Sequence, residues 1–438
     1  MEFSTGAFSK SSETWAGAPV AVLWDQSLVW GLICLETFKL CRVPFHLVSA
    51  KEVAEGGLEG HRVLMVPGGW SSHKARALGE TGKARIKQFL HNGGSYLGFC
   101  GGAGLALSSP SSLGLVPQKR MPLSERLPNA SGEIWIQGVP DHPLWNGLPH
   151  ALPVSIWWPA QFMPETAGDC LCLATYKAPG ADFWIADLPL SDLRNTAIPW
   201  EEWEKIYGIN LAPTRLIGHP AIIEVRVGKG RLILSYPHLD TPGDAWANRL
   251  FMRCIEYLDD AASRHLQVMS LGKQEPVRPA DLPGRETLNH IRQATEAVDA
   301  LIAFGERHLL WTWRLPWLLN WRRGLRGLEY GTLARVMTYL ADRTAMLCRE
   351  AHEPQDHWLG PAKRIEEGVV RFCCLARNLL LEEKLATQTT NLTKLGKVNA
   401  TVDQLRGELF GHKMNHGGLC RELFDELDGF LLNILRIE

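Results

Sequence analysis

Short apolar runs alternate with amphipathic stretches from Pro19 to about residue 260. Residues 20–24, 45–48, 62–66 and 95–99 read as strands, each short and mainly apolar. Residues 29–40 read as a helix, and so do 83–91, where Ile86, Phe89 and Leu90 recur at helical spacing before Asn92-Gly93-Gly94 ends the segment. Strands alternating with helices imply an α/β fold, a mostly parallel sheet flanked by helices on both faces. From about 110 to 220 the chain is rich in Pro, Trp and turn signals and reads as an insertion upon that sheet. Regularity returns at 221–227, Gly228-Lys229-Gly230 and 231–235, which read as a hairpin, followed by a helix over 244–258.

A different rhythm follows. Pro276, Pro279 and Pro283 give 262–284 the composition of a linker. Beyond it, apolar positions recur with helical period. Leu288, Ile291, Val298, Leu301 and Ile302 form one stripe, and Leu333, Val336, Met337, Leu340 and Leu347 a second. Ile365, Val369, Phe372, Leu375 and Leu379 form a third, and Val402 through Ile434 a fourth. Helices with one apolar face each bury them most simply against one another, so 285–438 reads as an all-α bundle. The expected organisation is a flexible segment 1–18, an α/β domain 19–261, the linker and the bundle.

Composition narrows the function classes. The 438 residues would suggest three domains by length alone, but the two rhythms favour two. Lys plus Arg number 46 against 47 Asp plus Glu, a net charge of −1, which argues against a nucleic-acid partner. The Ser-rich start lacks a signal-peptide pattern, and no apolar run is long enough for a transmembrane segment. Ten cysteines show no CxxC pair, so a reducing compartment is expected and the cytoplasm is the default.

The most informative stretch is Gly98-Phe99-Cys100-Gly101-Gly102-Ala103-Gly104, directly after an expected strand. A nucleophile elbow needs small residues about its turn, which here are Gly98 and Gly102. A helix N-terminus beneath the sulfur favours thiolate. Val66-Pro67-Gly68-Gly69-Trp70 follows the third strand, where the backbone N–H groups of Gly69 and Trp70, with that of Gly101, could form an oxyanion hole. Ser235-Tyr236-Pro237-His238-Leu239-Asp240 ends the last strand and supplies a base, His238, with an orienter, Asp240. Each alone is explained as a turn, a cap or a buried thiol. Together they lie at the carboxyl ends of sheet strands, where open α/β sheets bind ligands.

These residues resemble the class I glutamine amidotransferase-like superfamily, flavodoxin-like in fold, and within it most closely the amidotransferase-like N-terminal domain of biotin–protein ligases. The likeness rests on Val66-Pro67-Gly68-Gly69, on the run from Asn92 to Ala103, on Asp141-His142-Pro143-Leu144 with Gly147-Leu148, on Leu173-Ala174-Thr175-Tyr176, and on the run from Val227 to Ser235 leading into Pro237-His238. It implies Cys100 as nucleophile, His238 as general base and Asp240 where amidotransferases carry glutamate. It further implies a Cys-dependent amidase or hydrolase acting through a thioester on a small amide or ester, or alternatively a non-catalytic sensing or protein-interaction module that keeps the elbow. Trp157 and Trp158 stand where relatives often carry a Gly-Gly turn, as a possible pocket wall. No biotin-ligase catalytic pattern follows, so the chain is not expected to biotinylate anything.

Four of the seventeen tryptophans fall between Trp311 and Trp321, and 305–327 carries five arginines against one glutamate. An interfacial helix, base stacking, or a contact surface for a protein partner, a second copy or the first domain are the readings; neutral net charge and Pro316 favour the contact surface. His412 and His416 have i, i+4 metal spacing, but the glycines around them and the lack of further ligands favour ordinary histidines. No metal or cofactor is expected.

Overall fold

The computed structural model describes residues 19–164, 169–193, 196, 198–266, 282–350, 356–389, 392–412 and 414–437; the expected flexible segment 1–18 and the linker positions 267–281 lie outside them. Two compact units divide the chain, one of 1–24, 30–183 and 213–273, the other of 25–29, 184–212 and 274–438.

In chain order the first unit carries β1 (Val20–Leu23), α1 (Val29–Cys41), β2 (Phe45–Val48), α2 (Ala50–Glu55), β3 (Val63–Val66), α3 (Ser71–His91), β4 (Ser95–Phe99), α4 (Gly101–Ala106), β5 (Ala130–Gly138), β6 (Ala151–Trp157) and most of β7 (Cys170–Ile185). The chain then runs through β8 (Leu188–Pro189), α5 (Leu190–Leu193) and α6 (Trp200–Tyr207), which cluster with the second unit, and returns as β9 (Pro220–Val227), β10 (Gly230–Ser235) and α7 (Ala245–Ser263). The sheet order is β2-β1-β3-β4-β10-β9-β7-β5-β6. Its first five strands are parallel and the rest enter through antiparallel pairings. Strands β1, β3 and β4 are buried at every position, which is why β1 and β3 are unbroken apolar runs and why the Ser95 hydroxyl of β4 donates to the Leu258 carbonyl.

The register sets the site. Val66 of β3 pairs with Gly98 of β4, and Phe99 of β4 with Ser235 of β10. Three strands thus end side by side, and the turns that follow them open onto one edge of the sheet. Helix α3 begins at Ser71, twelve residues before its apolar spacing becomes legible, because Gly79 at φ 58 breaks the helical path between two segments. In the 110–220 region, β5 and β6 pair from Ser131↔Trp157 to Gln137↔Ala151, and β5 alternates buried and exposed positions towards its end.

The second unit continues with α8 (Arg285–Arg307), β11 (Trp311–Leu315), β12 (Leu318–Trp321), α9 (Gly327–Glu350), α10 (Leu359–Ala386), α11 (Ala400–Phe410) and α12 (Gly418–Leu435). The last stripe is divided between two helices, because Gly411 at φ 61 ends α11 and Gly417 precedes α12. The Trp/Arg segment is a two-stranded ribbon, not a helix, with Pro316 and Trp317 at its turn and Trp311 opposite Trp321. Trp311 is buried; its Nε1 donates to the Ile302 carbonyl at 3.1 Å and its ring lies 5.2 Å from that of Tyr330. The Arg323 amide donates to Asp187 at 3.0 Å and its guanidinium covers Tyr207, so the ribbon packs on the 184–212 segment of its own unit. His412 is exposed and His416 buried beyond the end of α11, not on one helical face.

Candidate active site

Cys100 leaves β4 at φ 45, ψ −102, a conformation that costs a non-glycine residue about 1–3 kcal/mol. Its amide donates to the Ser235 carbonyl at 2.8 Å, tying the elbow to the end of β10, and its carbonyl starts α4 by accepting from Gly104. The flanking glycines are there for space. A Cβ on Gly98 would stand 2.7 Å from the Tyr96 ring and 2.8 Å from the Gly102 backbone. One on Gly102 would collide with the Val66 carbonyl, and one on Gly101 with the Gly69 carbonyl oxygen. The elbow and the turn after β3 are therefore in backbone contact, with Gly69 itself at φ 108. That contact brings Gly69 and Gly101 together. The Gly69 carbonyl faces Gly101, so the Trp70 N–H of the same trans peptide points away from it.

His238 is fully buried. Its Nδ1 lies 2.9 Å from Asp240 Oδ1, so the shorter aspartate does reach the ring. The indole of Trp30, on α1, stacks on the imidazole at 4.7 Å between centroids, and Gly68 leaves room for its Cε1, which a Cβ there would approach to 2.7 Å. Burial of His238 works against its charged form; the Asp240 carboxylate, by charge and hydrogen bond, and the Cys100 sulfur outweigh it and raise the pKa to about 10. Nε2 is buried and no described atom closes an ordinary hydrogen bond on it, so the sulfur is near enough to act on the ring without completing that bond. Cys100 is partly exposed, and its sulfur lies 4.0 Å from the Trp157 carbonyl.

Asp240 is held from both sides. The Thr37 hydroxyl donates to its carbonyl at 2.8 Å, and Cys34 faces its carboxylate, burial first and that charge second keeping the Cys34 thiol neutral. The Trp157 indole donates to the Thr241 hydroxyl at 3.2 Å, and Trp158, at φ 50, meets Trp30 edge-on. An antiparallel bridge between Ser155 and His238 brings β6, and with it both tryptophans, to the elbow.

The structure thus gathers Cys100, His238, Asp240, Gly69, Gly101, Trp157 and Trp158 at one edge. Trp30, Cys34 and Thr37 were not legible as site residues; their only signal was a helix directly after the first strand, starting on the ligand side of the sheet. His142, in the His-Pro segment, lies elsewhere, 3.3 Å from the buried Glu224. Among the described residues no group of three or more His, Cys, Asp or Glu is placed to hold a metal ion.

Residues 45–109 match the protein family described as biotin-protein ligase, N terminal, a span that includes the turn after β3 and the elbow. No curated protein matches the chain. Among solved structures, it is similar to a glutamine amidotransferase from Thermotoga maritima (12% identity over 56% of this chain and 85% of that one, TM-score 0.33). It is similar also to a glutamine amidotransferase from Methylobacillus flagellatus (13%, 59% and 100%, TM-score 0.30) and to a β-galactosidase from Rahnella sp. R3 (13%, 59% and 33%, TM-score 0.31). Overlaps this low carry no weight for function.

Proposed function

We propose that the first unit, which resembles the biotin–protein ligase N-terminal family over 45–109, is a Cys100-dependent amidase or hydrolase of a small amide or ester. The observation that carries this reading is the buried His238–Asp240 pair at 2.9 Å beside a cysteine held at positive φ on a strand-to-helix turn. A cysteine held at positive φ costs stability, so its conformation calls for a use other than packing.

The Cys100 sulfur attacks the carbonyl carbon as thiolate, and the carbonyl π electrons move onto oxygen. The Gly101 N–H, with Gly69 beside it, stabilises that oxyanion. A raised pKa makes His238 an imidazolium at neutral pH, so it gives its proton to the leaving amine or alcohol as the C–N or C–O bond breaks. Neutral His238 then takes a proton from water, whose oxygen attacks the thioester and releases the acid and Cys100. The same reading places the protein in the cytoplasm, consistent with ten cysteines that all stand as free thiols.

A second reading, a sensing module, is favoured by Trp30 stacked on His238 with Trp158 against it, and by an Nε2 without a hydrogen-bond partner among the described residues. Iodoacetamide labelling of Cys100, followed by peptide mass spectrometry across pH, separates the two. A catalytic pair labels at neutral pH at least about tenfold faster than a free thiol, and His238→Ala abolishes the excess. Labelling at the free-thiol rate, or undiminished by His238→Ala, leaves the sensing reading.

A further inference from the structure

Helix α1 carries none of the groups that act in the proposed reaction, yet one of its faces is turned to them. Trp30, Cys34 and Thr37 stand at i, i+4 and i+7, a single stripe of the helix, and all three are buried. Trp30 stacks on the His238 imidazole, with 4.7 Å between ring centroids and 29° between planes. One turn on, Cys34 faces the Asp240 carboxylate, and Thr37 donates to the Asp240 carbonyl at 2.8 Å. The stripe thus meets the acid–base pair at both residues.

The other contacts of His238 leave Trp30 a task of its own. The His238 backbone N–H donates to the Ser155 carbonyl at 2.8 Å, and Nδ1 lies 2.9 Å from Asp240 Oδ1. These fix where the ring hangs and where Nδ1 points, but a single side-chain hydrogen bond still lets the ring rock about it. The indole closes one face against that motion. Gly68 closes an edge, since a Cβ there would stand 2.7 Å from His238 Cε1 and 3.2 Å from Trp30 Cγ. Trp158, edge-on to Trp30 with 6.5 Å between centroids, backs the indole.

Charge gives the indole a second task. The ring of His238 is fully buried, out of reach of the water that would otherwise solvate its positive form. The face of an indole is electron-rich and attracts a cation, more strongly where water is excluded. The titratable groups around the ring are Asp240 beside it and the Cys100 sulfur across the elbow, with Cys34 against Asp240 and the buried Lys74 of α3 acting on Cys34. A leucine could fill much of the volume that Trp30 fills, but only a ring face favours imidazolium over neutral imidazole.

We infer that Trp30 is a positioning residue for the Cys100–His238 reaction: its indole fixes the imidazole plane and stands in for water around the ring's positive charge, so that Nε2 carries its proton beside the sulfur. The inference rests on Cys100 and His238 being the nucleophile and the acid–base group of the proposed function. Without the ring face, the first proton to leave the pair comes off His238 and not off the thiol. Cys100 then stays protonated, and the leaving group loses its proton donor at neutral pH.

The test reads Cys100 alkylation by iodoacetamide across pH, by peptide mass spectrometry. Beside it, NMR follows the titration of His238 in the full chain carrying carbon-13-labelled histidine, the signal assigned by its loss in His238→Gln. In Trp30→Leu, labelling at neutral pH should fall about tenfold and recover only as the thiol ionises near its ordinary pKa of about 8.5, while the His238 midpoint drops by about one pH unit or more. Trp30→Phe, which keeps a ring face, should stay within about threefold of the wild-type rate. Trp30→Met, flexible and apolar, replaces Trp30→Leu should that variant fail to fold. A wild type that labels fast, matched by Trp30→Leu in rate and in His238 midpoint, overturns the inference and spares the nucleophile. Equal losses in Trp30→Leu and Trp30→Phe overturn it too, since the indole would then only pack. A wild type that labels no faster than a free thiol overturns the nucleophile, and the inference with it.

Discussion

His238 is the residue on which the site's chemistry and its pH dependence both turn. Its pKa rises from an ordinary 6.5 in the unfolded chain to about 10 when folded, because Asp240 and the Cys100 sulfur outweigh burial. The folded state therefore holds its proton more tightly. The resulting stabilisation is fully present below about pH 6.5 and is lost as pH rises towards 10. Urea denaturation at pH 7 and pH 10 should show stability falling with pH, and His238→Gln should flatten that slope. Asp240→Asn strands a buried imidazolium, or forces it neutral, and should cost about 3–5 kcal/mol at pH 7 in the same measurement. An unchanged denaturation midpoint in Asp240→Asn would mean that the pair is not charged.

At the scale of elements, the glycines record where backbones touch. The α4 glycines allow the elbow helix to lie on the turn after β3, and Gly102 has the Val66 carbonyl where a side chain would go. Backbone cannot step aside as a side chain can, so Gly102→Ala should destabilise the first unit by at least about 3 kcal/mol, read from the shift in urea midpoint. In the helical unit the docking partner is an indole: Trp311 lies on bare Gly305 of α8, and Trp321 on Gly327 of α9. Gly305→Ala gains about 1 kcal/mol of helix propensity but must push Trp311 out of its place, and a net loss of about 1–2 kcal/mol is expected on thermal denaturation. The glycines needed by the elbow were legible in the sequence because a strand-turn-helix is local. Those under the tryptophans were not, since Gly327 stands six positions beyond Trp321 on the next element and nothing in the local pattern links a glycine to an indole.

Across the whole molecule, two units each have their own buried centre. That of the helical unit includes charge: Arg406 meets Glu383 at 2.7 Å, while Glu329 accepts from Arg326 at 3.0 Å and from Lys394 at 3.1 Å, all of them largely buried. Burial raises the Glu383 pKa to about 7 against the pull of Arg406. Arg406→Met leaves that carboxylate without its cation and should cost about 3–5 kcal/mol. Calorimetry of the full chain should show this loss in one transition and not in a second assigned to the α/β unit; a single transition that shifts as a whole would mean that the units unfold together.

Short-range pattern was enough to place β1 to β4, the β9–β10 hairpin, the elbow and the stripes of the helical region, because each depends on side chains within a turn or a strand of one another. It was also enough to single out Cys100, His238 and Asp240, since each sits at the end of a legible strand. The Trp/Arg ribbon and the break within the last stripe are also local, a two-residue turn and Gly411, but helical spacing of the apolar residues hid them. The pairing of β7 with β9, and of both with the rest of the sheet, followed from contacts between distant residues. So did the stacking of Trp30 on His238, more than 200 positions away, and the approach of Arg120 to Gly104. Local sequence decides which conformations a segment favours. Which side chain then meets which is decided by the register of the sheet and the packing around it, and only the folded chain brings those contacts about.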